Sequence, residues 1–323
     1  MKIKLIIRES SPEFNSIEKV FNTLLPYLEV EKKVLPFSCH GLWNKVFNFI
    51  SLHKFRNDII HLSGHEHYLF ALPLFRKSIL TIHDIEGVYR LKGWRKWIFK
   101  KLWYDLPIRN SEVITTISEF SKKEIESLGN YKKIIKVIPN PLTLPLTYEP
   151  KVFNVQEPRI LHIGTKPNKN VSRLLDAVMG INCSLVVIGK LSEELIIKAK
   201  ENQVNLKIRN NLSNVEVMDE YREADILSFV STYEGFGLPI IEAQAVGRVV
   251  LTANITSMPE VAGDGALLVD PYSVQDIHKG IVRLIEEEHY RDQLIKNGLN
   301  NIKRFNVRDV AEKYKEIYKE LTV

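Results

Sequence analysis

Short runs of apolar and β-branched residues alternate with helical segments from one end of the chain to the other. Continuous apolar runs of this length are typical of parallel strands that are buried on both faces of a sheet. The chain is therefore predicted to have an α/β fold. The predicted strands are Ile3–Ile7, Asp58–Leu62, Ile79–His83, Val113–Ile117, Ile135–Ile138, Ile160–Ile163, Leu185–Ile188, Ile226–Val230 and Val249–Thr252.

A proline-rich stretch interrupts this alternation near the middle of the chain. Four prolines fall between residues 141 and 158, and proline neither continues a helix nor occupies the centre of a sheet. The 323 residues of the chain correspond to about two domains. We predict an N-terminal domain over residues 1–145, a linker over 146–158, a C-terminal domain over 159–305 and a final helix over 306–323.

Several helix ends carry sequence signals. The segments Ser121–Glu124 and Ser213–Glu216 both fit a capping box. In this motif the side chains of a serine and a glutamate accept hydrogen bonds from the free backbone amides at the start of a helix. Pro239 is expected just inside a helix that ends at Gly247, because proline suits the first turn and glycine suits the end.

Composition bears on the cellular setting. The two cysteines, Cys39 and Cys183, lie far apart and lack the spacing of metal ligands, which suits a reducing cytosol better than a disulfide scaffold. No stretch approaches the roughly 20 apolar residues of a membrane-spanning helix, and the opening MKIKLIIRESS is interpreted as a strand rather than a signal peptide. We predict a cytoplasmic protein whose contact with a membrane, if any, is peripheral.

Basic residues are concentrated in the first half of the chain. Residues 1–140 have 23 Lys and Arg against 14 Asp and Glu, whereas the remaining residues have 22 against 25. Residues 89–104 alone contain six Lys or Arg and three Trp. Aromatic and basic residues interleaved on a helix suit an anionic membrane surface. An amphipathic helix with buried tryptophans fits the same pattern, and no motif for nucleic-acid recognition accompanies the charge.

The most informative segment is Ser231–Ala243, with the sequence STYEGFGLPIIEA. It follows a predicted buried strand and leads into a helix, and its glycines allow a sharp turn close to a ligand. The amides of Gly237, Leu238 and Ile240 are expected to be free at the helix start. Together with the helix dipole they form a site for an anion such as a diphosphate.

Two carboxylates flank this glycine-rich turn. Glu234 lies in the loop before the helix, and Glu242 lies within the helix. A carboxylate is a good acceptor for two neighbouring hydroxyl groups. Both residues can therefore face one crevice and each hold a diol, at a separation that suits one nucleotide sugar.

The two glutamates, separated by seven residues around GFGLP, resemble the glutamate–seven–glutamate signature of GT-B glycosyltransferases of family 4. The resemblance extends over nearly the whole chain, through DIIHLSGHEHYLFALP, SILTIHDIEGVYR and KVIPNPL in the first half and ILHIGTKPNKN, LVVIGK and SMPEVAGDGALLVDP in the second. It implies two Rossmann-like domains facing a cleft, with the final helix packing back towards the N-terminal domain.

The resemblance also implies an activity. Enzymes of this family are retaining glycosyltransferases, which move a hexose-type sugar from a nucleotide sugar to a glycan or lipid-linked acceptor. Surface polysaccharide biosynthesis is the expected setting. A nucleotide-sugar epimerase of the same fold and a non-catalytic nucleotide-binding module remain as alternatives. The sequence does not assign the sugar, the base, the acceptor or the oligomeric state.

The family's roles are carried over to the matching positions of the C-terminal half. Glu242 would accept from the ribose hydroxyls of the donor, and Glu234 would accept from the hydroxyls of the transferred sugar as a catalytic residue. The remaining donor-binding candidates are the backbone amides of Phe236, Gly237 and Leu238.

Two lysines are expected to neutralise the diphosphate. They are Lys169, in GTKPNKN, and Lys190, which directly follows a strand and a glycine; ligands of α/β proteins bind at such strand ends. A solvated surface lysine is the ordinary alternative for each. The family often has Arg after the glycine that is Gly164 here, and this chain has Thr165 instead, so one phosphate contact departs from the family pattern.

The N-terminal half supplies the second catalytic candidate, His83. His83 and Asp84 end a predicted buried strand, so their position places them in a crevice. In the family the matching histidine approaches the transferred sugar, while the phosphate of the donor takes the proton of the acceptor. A helix-capping Asp84 beside a packed histidine is the structural alternative.

Two further histidines and a serine-rich loop complete the candidates. We expect His65 to contact a substrate and His61 to pack in the core. Ser11, in a loop that replaces the glycine-rich loop of many relatives, is a candidate for the acceptor side, together with His65 and Asp84. The chain has no Asp-x-Asp motif, and enzymes that it resembles generally hold the diphosphate with lysines and a helix, so no metal and no cofactor are expected.

Overall fold

The computed structural model describes residues 2–8, 16–38 and 41–322. The chain divides into two compact units. Unit 1 runs to Thr143 and resumes at Asn306, and unit 2 comprises Leu144–Phe305. The final helix therefore belongs to unit 1, although unit 2 precedes it in the chain.

Unit 1 has a parallel sheet with the strand order β2-β1-β3-β4-β5-β6. Its strands are β1 (Ile3–Ile7), β2 (Glu31–Val34), β3 (Ile59–Leu62), β4 (Lys77–Ile82), β5 (Val113–Thr116) and β6 (Ile135–Val137). Its helices are α1 (Ser16–Leu24), α2 (Leu42–Leu52), α3 (Glu86–Tyr89), α4 (Gly93–Lys100), α5 (Leu106–Asn110), α6 (Glu119–Ser127) and α14 (Val307–Thr322). A π-helical turn over Lys101–Asp105 joins α4 to α5.

Unit 2 has a parallel sheet with the order β12-β11-β10-β7-β8-β9. Its strands are β7 (Arg159–Ile163), β8 (Ser184–Ile188), β9 (Asn205–Arg209), β10 (Ile226–Phe229), β11 (Val249–Ala253) and β12 (Leu267–Val269). Its helices are α7 (Val171–Ala177), α8 (Glu193–Glu201), α9 (Asn214–Glu223), α10 (Leu238–Val246), α11 (Met258–Ala262), α12 (Val274–Glu286) and α13 (Glu288–Asn301).

Both sheets are doubly wound, which confirms the predicted α/β class. Unit 2 has the strand order of a Rossmann fold, while unit 1 has the related order found in flavodoxin-like sheets, in which the first strand lies between the second and the third. In each order, successive connections of the chain run to opposite sides of one central strand. The switch points therefore lie between β1 and β3 in unit 1 and between β7 and β10 in unit 2.

The nine predicted strands are all present, with ends shifted by no more than a few residues. Three strands were not predicted, namely β2, β9 and β12, and all three lie at a sheet edge. Residues of β2 and β9 alternate between exposed and partly buried positions. An edge strand covered on one face needs fewer apolar residues, so the continuous apolar pattern that marks the central strands is missing.

The predicted helix ends are partly correct. The capping box at Ser213 and Glu216 is confirmed, with both reciprocal bonds present, and α10 ends at Gly247 in a left-handed conformation as predicted. The box at Ser121 is wrong. The N-cap of that helix is Ser118, whose hydroxyl accepts from the Ser121 amide, while the Ser121 hydroxyl donates to the carbonyl of His83 at 3.1 Å.

The segment over residues 146–158 contains no helix or strand and is tied to unit 2. The buried carboxylate of Asp225 pairs with Lys151 and accepts from the amides of Asn154 and Arg159, at 3.2 and 2.8 Å. The Arg248 guanidinium donates to the carbonyl of Glu149 at 2.8 Å. These bonds replace the secondary structure that the prolines prevent.

Candidate active site

The donor-site candidates of unit 2 meet at its topological switch point. The carboxyl ends of β7, β8 and β10 are adjacent because β7 pairs with both of the other strands. Gly164 and Thr165 follow β7, Lys190 follows β8, and the glycine-rich turn follows β10. Ligands of doubly wound proteins bind in the crevice outside these strand ends, so the fold brings the predicted residues to one place.

The turn between β10 and α10 presents backbone amides to this crevice. Gly237 is the N-cap of α10 and has φ of 107°, a conformation that glycine adopts without strain. The Ser257 hydroxyl donates to the carbonyls of Glu234 and Phe236, at 2.8 and 2.9 Å, and so fixes the turn. The prediction that the amide of Ile240 is free is wrong, because this amide donates to the carbonyl of Gly237 at 3.0 Å.

Glu234 forms an ion pair with Lys169. The Lys169 Nζ lies 2.7 Å from the Glu234 Oε1, and both side chains are largely buried. The same ammonium lies 4.6 Å from the centre of the Phe229 ring. The two residues predicted to contact the sugar and the diphosphate therefore neutralise each other, and a donor that binds here meets a preformed pair of opposite charges.

The path of Lys169 depends on Gly164. Gly164 has φ of +94°, and a Cβ atom at this position would lie 2.9 Å from the Lys169 Cε. The missing side chain lets the lysine stem cross the end of β7 and reach Glu234. Lys190, by contrast, is exposed, so its charge is available at the rim of the crevice. Thr165 is half-buried between them.

Glu242 is held from behind by a buried tyrosine. Its side chain lies in α10, and its Oε2 accepts a 2.6 Å hydrogen bond from the hydroxyl of Tyr221 in α9. Burial raises the pKa of Tyr221 far above its usual range, so the phenol keeps its proton and can only donate to the carboxylate. This bond fixes one oxygen of Glu242 and thereby the orientation of the whole group.

The polar candidates of unit 1 gather at the carboxyl ends of β3 and β4. The Nε2 of His83 lies 2.8 Å from the carbonyl oxygen of Ser63, and the His83 and His65 ring centres are 6.2 Å apart. The pKa of His83 is lowered to about 4, mainly because the ring is buried and secondly because of the electrostatic effect of His65. A carbonyl only accepts, so Nε2 carries the proton and Nδ1 is an acceptor. His83 is thus a neutral imidazole whose Nδ1 can accept a hydrogen bond from a hydroxyl group.

Asp84 has a structural role at the start of α3. Its Oδ1 accepts from the amide of Glu86, the first residue of α3, at 3.1 Å, although the N-cap of the helix is Ile85. Burial raises the pKa of Asp84. His65 is half-buried beside His83, and Ser11 lies outside the described residues.

His61 lies in the core, as expected. It is fully buried, with Nδ1 2.8 Å from the Tyr318 hydroxyl and Nε2 2.7 Å from the Thr81 hydroxyl. Since Tyr318 lies in α14, this histidine joins the final helix to the sheet of unit 1. His67 is also fully buried, and its Nδ1 lies 3.1 Å from the carbonyl of Trp103.

Two residues of interest were missed in the sequence. Arg8 follows β1 at the switch point of unit 1, and its Nε lies 2.5 Å from the buried Glu18; its position after a predicted strand was a usable signal. Tyr221 carried no such signal, because only the packing of α9 on α10 brings it to Glu242. Among the described residues, no group of three or more His, Cys, Asp or Glu side chains is arranged to hold a metal ion.

Comparisons with known proteins agree with this geometry. The family model described as Glycosyl transferases group 1 matches residues 148–301, and the model of Glycosyltransferase Family 4 matches residues 23–144. O-antigen chain mannosyltransferase B of Escherichia coli is 26% identical over 293 residues, which cover 80% of this chain and 76% of that protein.

Two solved structures show the same fold. Sucrose-phosphate synthase from Thermosynechococcus elongatus has a TM-score of 0.81 at 16% identity, with 99% of each chain covered. Anabaena Alr3699/HepE in complex with UDP-glucose has a TM-score of 0.78 at 17% identity, covering 99% of this chain and 100% of that chain. The chain belongs to the family 4 glycosyltransferases and has the GT-B fold of two Rossmann-like domains. It is a glycosyltransferase.

Proposed function

We propose that the protein is a retaining glycosyltransferase that moves a hexose from a nucleotide sugar, bound by unit 2, to a glycan or lipid-linked acceptor in surface polysaccharide biosynthesis. The observation that carries the proposal is the pairing of Lys169 with Glu234 at the switch point where α10 begins. The mannosyltransferase named above and the UDP-glucose complex of HepE support the class of donor.

The groups at the switch point suit the departure of a nucleoside diphosphate. The bond between the sugar C1 and the diphosphate oxygen breaks, and the oxygen of an acceptor hydroxyl bonds to C1. Lys169, Lys190 and the amides of Gly237 and Leu238 would stabilise the charge that develops on the diphosphate. The acceptor proton passes to a phosphate oxygen of the donor, so no side chain is needed as the base.

His83 is proposed to contact the transferred sugar. Its proton is held on Nε2 by the Ser63 carbonyl, so Nδ1 would accept a hydrogen bond from a sugar hydroxyl. Glu234 would accept from other hydroxyls of the same sugar, and Glu242 from the ribose. His65 is proposed to contact the acceptor.

The reaction is proposed to need no metal ion. The lysines and the start of α10 supply positive charge where other enzymes place a divalent cation. The matching test is turnover after treatment with EDTA and gel filtration, where we expect the full rate. A rate restored only by Mg²⁺ or Mn²⁺ would contradict this part of the proposal.

We propose that the enzyme works in the cytoplasm and touches the inner face of the cell membrane through residues 89–104. In support, Trp94 and Trp97 are 68 and 66% exposed. The third tryptophan of this segment, Trp103, is half-buried and stacks on Phe99. Tyr89 is exposed as well. No helix in the described part of the chain is long and apolar enough to cross a bilayer.

The experiment is a donor panel of GDP-, UDP- and dTDP-hexoses, beginning with GDP-mannose because of the mannosyltransferase named above. Melting temperature, release of free nucleotide and the structure of the remaining nucleotide sugar are measured with the wild type and Glu242→Ala. We expect stabilisation by one donor, slow release of its nucleotide and loss of both in the variant. Formation of an altered nucleotide sugar would identify an epimerase, and no response to any donor would favour a binding module.

A further inference from the structure

Helix α2 turns a wholly apolar face to solvent. Every exposed residue of the helix is apolar, and their spacing of one, three, one and three residues places them on one stripe. They are Leu42, Trp43, Val46, Phe47 and Ile50, which are 74, 72, 38, 46 and 59% exposed.

The polar residues of α2 lie on its other sides. Asn48 is fully buried, and Asn44, Lys45 and Ser51 are half-buried. A surface helix normally shows the reverse arrangement, with its apolar stripe towards the core and its polar face towards water. The sequence of α2 is therefore suited to a second apolar environment outside unit 1.

The buried Asn48 extends this face by one aromatic ring. Its side-chain amide accepts from the Phe37 amide at 3.1 Å and donates to the Phe37 carbonyl at 2.9 Å. The Phe37 ring, 43% exposed, lies 5.4 Å from that of Phe47. We call Phe37 and the five exposed residues of α2 the apolar face. A contiguous apolar patch is uncommon on a monomer and marks an interaction site.

Basic and aromatic residues border the apolar face. The Lys45 Nζ lies 5.7 Å from the Trp103 ring and 5.9 Å from the Tyr68 ring, which places α2 beside the π-helical turn that follows α4. Trp94 and Trp97 of α4 are exposed next to Arg95 and Lys96. Three of the four tryptophans of the protein are thus largely exposed, and each lies within two residues of a Lys or Arg in the chain.

We propose that the apolar face inserts into the headgroup layer of an anionic bilayer. Tryptophan prefers the boundary between water and hydrocarbon, and lysine and arginine next to apolar residues bind the phosphates of anionic lipids. The apolar face carries no charged side chain that such a layer would have to desolvate. The apolar face contains none of residues 89–104, and it stands or falls separately from donor binding because none of its residues is a candidate for donor contact.

The first test is sedimentation of the full-length protein with phosphatidylcholine vesicles, with and without phosphatidylglycerol. We expect binding to the anionic vesicles and at least about a tenfold loss of affinity in the double variant Trp43→Ser/Phe47→Ser, since each side chain loses apolar burial. Ile134→Ser removes another exposed apolar residue of unit 1, 84% exposed, and should bind like the wild type. Unchanged melting temperature and unchanged donor-dependent nucleotide release in the double variant exclude misfolding.

The second test places Trp43 in the bilayer. In a Trp94→Phe/Trp97→Phe background, vesicles of brominated phosphatidylcholine and phosphatidylglycerol should quench the fluorescence, and adding Trp43→Phe should abolish that quenching. Equal binding by the wild type and Trp43→Ser/Phe47→Ser, or absence of quenching, would overturn the proposal. So would a dimer, seen by light scattering, that the double variant converts to a monomer, because the face would then bind a second copy.

Discussion

The two units share a doubly wound parallel sheet but place different chemistry at the ends of their strands. Unit 2 has glycines, lysines and glutamates there, with Lys169 and Glu234 already paired. Unit 1 has histidines, and its His61, His67 and His83 are buried and held neutral, with pKa values lowered to about 3, 3 and 4. The same kind of sheet thus carries lysines and glutamates in unit 2, which suit a diphosphate and its sugar. In unit 1 it carries neutral imidazoles such as His83, which suit hydroxyl groups, beside the Arg8–Glu18 ion pair.

Acid should separate the stabilities of the two units, and this is the largest effect that we expect. Burial lowers the pKa of each histidine, so the unfolded chain takes up protons below about pH 6.5 while the folded chain does not. The resulting stability is present above pH 6.5 and lost as the pH falls towards 4, by roughly 2 kcal/mol per histidine at pH 5. Among the residues that the structure describes, unit 1 has three such histidines and unit 2 has one, His162.

The four tryptophans make this measurable because all of them lie in unit 1. Urea unfolding followed by tryptophan fluorescence should shift to lower urea between pH 7 and pH 5 by more than unfolding followed by circular dichroism, which reports both units. Coincident curves at both pH values would show that the histidines do not distinguish the units.

Removal of the paired lysine should have the next largest effect. Lys169→Ala takes away the charge that is proposed to stabilise the leaving diphosphate and leaves Glu234 without this partner, so kcat should fall by about a hundredfold to a thousandfold. Lys190→Ala is the matched control, since this lysine is exposed at the rim, and its loss should be smaller. Similar rates for Lys169→Ala and the wild type would contradict the proposed role of Lys169 in stabilising the diphosphate.

Loss of the Tyr221 hydroxyl should lower the affinity for the donor through its ribose. Tyr221→Phe removes the 2.6 Å bond that orients Glu242, and a bond to a charged group corresponds to about a tenfold loss of donor affinity. Affinity for a 2′-deoxyribose donor should fall much less, because the proposed contact of Glu242 with the ribose then involves one hydroxyl fewer. An equal loss for both donors would indicate general damage to unit 2 instead.

The corresponding bond in unit 1 should affect stability alone. Tyr318→Phe removes the hydroxyl that contacts His61 and joins α14 to the sheet, and we expect a loss of about 1 kcal/mol in the free energy of unfolding. Donor binding, measured by calorimetry, should not change. A change in donor affinity of the same size would mean that the hydroxyl serves the site of unit 2.

Much of the fold of the two units was predictable from the sequence. Continuous apolar runs indicate the central strands. A glycine-rich turn followed by Pro239 indicates the start of α10, and Gly247 indicates its end. The edge strands β2 and β9 were missed because one-sided burial leaves no such run, and β12 was missed although it is apolar, because it has only three residues. The flavodoxin-like order of unit 1 was also not foreseen, since strand order depends on β2, which the pattern did not reveal.

The side-chain partners within the site were harder to predict than its location. Sequence order places Lys169 and Glu234 on different loops, and only the pairing of β7 with β10 brings them together. The amide of Ile240 was expected to be free, but the first turn of α10 tightens and uses it. The inverted helix α2 has the same apolar content as a core helix, and only the structure shows which of its faces is covered.

Hydrogen exchange of the full chain with its nucleotide-sugar donor tests the assignment of the donor to unit 2 most directly. We predict slower exchange of amides at residues 164–169 and 235–242, with no such change in the Glu242→Ala variant at the same donor concentration. Protection confined to unit 1, or an unchanged pattern throughout unit 2 under saturating donor, would contradict the account.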